Sequence, residues 1–189
     1  MIFLSAGVPD PRRNPNYYQT ADVVAIRDAV RALATMVLPH AQLVWGGHPA
    51  ITPLIRYVMQ TMKANVQEHV ILYQSLFFKF VFPEDNQFIE KRVFTEDLGN
   101  RDRSLFHMRQ RMLRENQFQA GIFIGGMEGV EEEFRLFREL HPHARLLPVA
   151  STGAAAQIIY RELQPMSDER LLHEYAYMAL FKSLLKGII

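Results

Sequence analysis

With 189 residues, 49% hydrophobic and 22% charged, the chain is long enough to bury a substantial core, which argues against disorder and against a second independent domain. A net charge of +1 with scattered Lys and Arg gives no basic stripe for a polynucleotide, and the absence of cysteine removes disulfides, thiolate metal sites and a cysteine nucleophile together. No apolar stretch approaches the roughly 18 residues of a membrane span, so a cytoplasmic protein without a membrane partner is expected.

The opening "MIFLSAGV" is apolar, has no basic start and soon meets Pro9, Asp10, Pro11, Arg12 and Arg13, so it reads as a buried strand over Ile2 to Ala6 rather than a signal peptide. "GVPDPRRNPN" then forms a long loop. A helix follows from about Thr20 to Leu38, with Val23, Ile26, Val30, Leu33 and Val37 on one stripe and Pro39 as its stop. Leu43 to Trp45 is the next strand. Thr52 as N-cap and Pro53 at the first helical position open a helix running to about Asn65. Strands at Val70 to Tyr73, Arg92 to Thr95, Gly121 to Ile124 and Leu146 to Val149 alternate with helices over Ser104 to Asn116, Val130 to Leu140 and the stretch after Gly153. Pro148 marks its strand as an edge or a bulge. A last helix, Asp168 to Gly187, packs across the domain or mediates self-association. The alternation predicts one α/β domain over 1–189, a Rossmann-like three-layer sandwich with a mainly parallel sheet and helices on both faces.

In such a fold ligands bind beyond the carboxyl ends of the strands. Four of those ends carry small residues: "SAGVPD" with Ser5, Ala6 and Gly7; "GGHPAITP" with Gly46, Gly47 and His48; "GGMEG" with Gly125, Gly126, Met127, Glu128 and Gly129; and "STGA" with Ser151, Thr152 and Gly153. Glycine lets backbone approach a ligand closely, and amides at a helix start attract anions, so these corners are candidate phosphate seats. Neither a P-loop nor a G-x-G-x-x-G fingerprint is present, which argues against a P-loop NTPase and an ordinary NAD dehydrogenase.

Two charged residues fall on apolar helix faces. At about 100° per residue Glu133 lies within the arc of Val130, Phe134, Phe137 and Leu140, whereas Glu131 and Glu132 point away as solvated helix-start charge. A carboxylate on a buried face needs an arginine, an amide or a ligand hydroxyl. Arg109 similarly lies among Leu105, Met108, Met112 and Leu113, where it could clamp a phosphate. His48 could reach a ligand as acid or base. His141 and His143 have no clear third ligand, so no metal is expected; Trp45 and the nine methionines read as core.

On "IFLSAGVPDP", "VWGGHPAITPLI" and "GIFIGGMEGVEEEF" the sequence resembles the SLOG superfamily, the Rossmann-like group of LOG-type phosphoribohydrolases, DNA-processing proteins and ligand-sensing domains. LOG enzymes carry P-G-G-x-G-T-x-x-E with an arginine on the preceding helix. Here Gly125, Gly126, Gly129 and Glu133 take the matching roles and Arg109 stands for the arginine. Ile124 replaces the proline, Val130 the threonine, and the loop is longer by one residue. The resemblance is closer to the sensors of bacterial antiviral defence. It implies a nucleotide or NAD-derived ligand, such as the cyclic ADP-ribose-like products of TIR domains, with no cofactor required, a homo-oligomer, and output through an effector or TIR-type partner. As a LOG-like enzyme the chain would instead cleave an N-glycosidic bond, with Glu133 and Arg109 as its catalytic pair.

Overall fold

The structure is a computed structural model and describes residues 1–62 and 64–189. Six strands, β1 (Ile2–Gly7), β2 (Leu43–Trp45), β3 (Val70–Ser75), β4 (Arg92–Thr95), β5 (Ala120–Gly125) and β6 (Arg145–Val149), form one parallel sheet in the order β4-β3-β2-β1-β5-β6. Every expected strand is present. The central ones are buried on both faces, which is why they read as continuous apolar runs. Pro148 lies on β6, an edge strand.

Eight helices surround the sheet among the described residues: α1 (Pro15–Thr20), α2 (Val23–Val37), α3 (Thr52–Thr61), α4 (Arg101–Arg114), α5 (Glu128–Leu140), α6 (Ala154–Glu162), α7 (Arg170–His173) and α8 (Tyr177–Leu184). Alternate strand residues divide the core in two. Leu4, Trp45, Leu72 and Ile122 pack with Ile26 and Leu33 of α2, Ile55 of α3 and Phe181 of α8. Phe3, Val44, Tyr73 and Phe123 pack with Met112 of α4, Phe134 and Phe137 of α5 and Ile159 of α6. Helices on both faces of a parallel sheet are the expected sandwich.

Helix boundaries depart from expectation where side chains compete for backbone groups. The loop after β1 contains α1, because the Asn14 side chain accepts the Asn16 amide and Pro15 suits a first helical position. Asp22 starts α2 by accepting the Ala25 amide, and Val23, expected in the buried stripe, is exposed. Thr52 is no N-cap: its hydroxyl accepts the Trp45 indole N–H at 3.1 Å, and Ile51 precedes the helix without a side-chain cap bond. α3 ends at Thr61, short of the expected Asn65, because Met62 turns extended with φ of −76° and ψ of 140°; Ala64 and Asn65 are not helical, and residue 63 lies outside the described residues. Asn100 caps α4 through the Asp102 and Arg103 amides, earlier than Ser104. The single C-terminal helix is two short ones, since the Glu174 carboxylate accepts the Tyr175 and Ala176 amides and breaks the helical ladder.

Chain order places the site. The chain builds outward from β1 to β4, then crosses to the other side of β1 to form β5, so strand order reverses between β1 and β5. A crevice opens at such a switch point, beyond the carboxyl ends of the strands.

Candidate functional site

A cavity of about 530 Å³ occupies that crevice, within the range of small-molecule sites. It spans the ends of β1, β2, β3 and β5 and is walled by α4 and the start of α5. Of the residues expected there, Ala6, Gly7, Gly46, Gly47, His48, Arg109, Gly126, Met127, Glu128, Gly129 and Glu133 line it.

The β1 and β5 corners are joined by the Gly126 amide donating to the Gly7 carbonyl at 2.8 Å. Gly126 has φ of 79°, and a Cβ there would stand 2.2 Å from Val130 Cγ2, so the tight entry into α5 requires glycine. Met127 precedes α5 without a side-chain cap bond, which leaves first-turn amides available to a ligand.

Glu133 is held by two partners. Its Oε2 accepts the Ser5 hydroxyl at 2.5 Å and its Oε1 accepts Arg109 Nε at 3.2 Å, with its side chain 13% exposed. Arg109 Nη1 also pairs with Glu132, and a Cβ on Gly129 would lie 2.9 Å from Arg109 Nη2. The guanidinium is thus engaged by two carboxylates at the cavity wall, where a phosphate clamp was expected. Glu132 and Glu131 are likewise not merely solvated, for Glu131 accepts the Tyr17 hydroxyl. Burial and that carboxylate push the Tyr17 phenol above its usual range, so it remains a donor.

His48 Nδ1 accepts the Ala50 amide at 3.2 Å, which leaves the proton of the neutral ring on Nε2, beside Gly7. Burial, with the Arg13 charge second, lowers its pKa from the usual 6.5, so a neutral donor faces the β1 corner. At the mouth, Glu128 accepts the Asn14 side-chain N–H at 2.9 Å. That bond holds its carboxyl below the usual range, helped by its own amide and by Arg13 and Arg101.

Five expected residues lie off the cavity. Ser5 and Gly125 sit behind it, Ser5 as the support of Glu133 and Gly125 against Ile26. Ser151, Thr152 and Gly153 form a corner filled from within the protein. Ser151 Oγ donates to the Glu174 carbonyl and meets the Tyr177 hydroxyl. Thr152 Oγ1 donates to the Val149 carbonyl and accepts the Gly125 amide. Gly153 packs on Thr20, whose carbonyl oxygen is 1.7 Å from where a Cβ would stand.

Sequence reasoning missed the far half of the cavity, where Gln74, Phe78, Phe82 and Pro83 join Leu105 and Met108. Ending the third strand at Tyr73 hid Gln74 and Ser75, the residues that reach the carboxyl edge. Asp10, Arg13 and Arg101 at the mouth were also missed, although the arginines of the first loop could have been weighed as anion contacts.

No helix among the described residues is long and apolar enough to cross a membrane, and no cluster of three potential metal-ligating side chains is found among them. The chain belongs to the SLOG cluster3 family, whose family model matches residues 16–185. No curated protein matches it.

Proposed function

We propose that the chain is a sensor domain for a nucleotide-derived ligand, NAD-derived or cyclic ADP-ribose-like, in a bacterial antiviral defence or signalling system. The observation that carries this reading is a carboxylate fixed inside the switch-point cavity next to glycine corners and a helix start. A carboxylate offers about four lone-pair positions. Ser5 and Arg109 occupy two, so Glu133 can still accept ribose hydroxyls. Phosphates would take first-turn amides of α5 and the Nε2 proton of His48, with Arg13 and Arg101 near the mouth. SLOG membership agrees with a nucleotide-type occupant.

Occupancy would report by shifting self-association or a TIR-type partner, to the extent that the ligand prefers one state. A second reading, hydrolysis of an N-glycosidic bond, is favoured by the same carboxylate, which could stabilise an oxocarbenium-like centre or activate water. Incubation with AMP, NAD, ADP-ribose and cyclic ADP-ribose isomers, followed by thermal shift and product chromatography, separates the readings. Stabilisation without product is the expected result. Turnover that disappears in Glu133→Gln would select the hydrolase, and neither shift nor product would defeat both.

A further inference from the structure

We infer that the far half of the cavity is a nucleobase subsite, in which the Gln74 side-chain amide reads the edge of a base seated against the aromatic segment Phe78 to Pro83. This rests on the nucleotide-binding reading and adds to it what recognises the base.

Gln74 supplies the polar group that an aromatic wall lacks. It sits near the carboxyl end of β3, is 3% exposed, and lines the cavity. Its amide makes no side-chain hydrogen bond to any described residue, and its Cγ is held against Gly47, where a Cβ would be 3.4 Å away. A primary amide carries two donors and an acceptor, and those of Gln74 are not among the polar atoms sealed in the protein without a partner, so they stay open to an occupant of the cavity it lines. Donor and acceptor on neighbouring atoms match a base edge with the complementary pair, as glutamine matches adenine.

The wall supplies the plane. Phe78, Phe82 and Pro83 follow the turn that ends β3, where Ser75 Oγ accepts the Phe77 amide. Phe78 and Phe82 are half-buried, yet neither packs into either core cluster. Their shelter therefore comes from the cavity side of the fold and from one another's neighbours, Phe77 and Phe94. Met108 and Leu105 of α4 also line the cavity and add apolar surface to the same compartment. Aromatic faces stack any base, whereas the amide discriminates among them. Glu133 Oε1 is 3.8 Å from where a Cβ on Gly46 would stand and Gln74 Cγ 3.4 Å from one on Gly47, so a nucleoside monophosphate with its sugar at Glu133 has Gln74 within reach of its base.

Affinities of the whole protein for AMP, purine riboside 5′-monophosphate and ribose 5-phosphate, measured by calorimetry, test this. Purine riboside lacks the exocyclic donor of adenine and ribose 5-phosphate lacks the base. The wild type is expected to prefer AMP over purine riboside monophosphate by about tenfold, and Gln74→Met, which keeps the volume, to erase that preference. Phe82→Ala is expected to weaken both purine nucleotides about equally and leave ribose 5-phosphate unchanged. Melting temperatures without nucleotide report whether each variant folds. Equal wild-type affinity for the two purine nucleotides, or a preference that survives Gln74→Met, would overturn the subsite while leaving nucleotide binding intact. Binding of none of the three, in a folded wild type, would overturn the subsite together with AMP-type binding.

Discussion

The corners after β5 and β6 are made of the same kinds of residue, small and rich in glycine, and each leads into a helix. One opens on a cavity. The other is filled by Thr20 from the end of α1 and by Glu174 and Tyr177 from the C-terminal helices. The local sequence signal for a ligand seat is therefore also the signal for a close approach between backbones. Which of the two is realised depends on segments more than 20 residues away.

The sharpest break of that comparison is Gly153→Ala. With φ of 71° and ψ of −158°, and with Thr20 O 1.7 Å from the new Cβ, it is expected to cost at least about 3 kcal/mol in urea denaturation. Next, Thr152→Val strands the buried Gly125 amide and is expected to cost about 1–3 kcal/mol, with nucleotide affinity kept in the folded fraction. A loss of affinity out of proportion to stability would place the filled corner in the ligand site after all. At the open corner the pattern reverses. Glu133→Gln is expected to lower ADP-ribose affinity about tenfold, or about 1.4 kcal/mol, with a smaller effect on stability because Arg109 keeps Glu132.

Ser151→Ala removes one side-chain hydrogen-bond group and is expected to cost about 1 kcal/mol in stability with unchanged binding by calorimetry. The smallest effect concerns protons. Because His48 titrates lower when folded than its usual 6.5, the unfolded chain binds the extra proton first as pH falls. Stability is then complete above about pH 6.5 and declines below it, and His48→Gln is expected to flatten that slope between about pH 7 and about pH 5. An unchanged slope would remove His48 as a buried neutral group.

Much of the fold is legible in the sequence, for strands buried on both faces cannot hide their apolar runs and Pro148 marks an edge. Glu133 and Arg109 are legible by helical period, since a charge among Phe134 and Phe137, or between Met108 and Met112, must have a partner. That they partner each other is not, because the two residues are 24 apart in sequence and meet only once α4 and α5 pack side by side on the sheet. Nor are the fates of Thr52 and Glu174, whose side chains choose between local backbone and distant groups. Gln74 escaped for a simpler reason: a polar residue at the end of an apolar run looks like the end of the strand.

α1 has a mechanical consequence. Asn14, at its head, grips Glu128 at the cavity mouth, Tyr17 grips Glu131, and Thr20, at its tail, fills the β6 corner on which the C-terminal helices rest. Six residues thus brace the mouth against the carboxyl-terminal surface along the rim of the sheet, a route of direct contact between the two that bypasses the core.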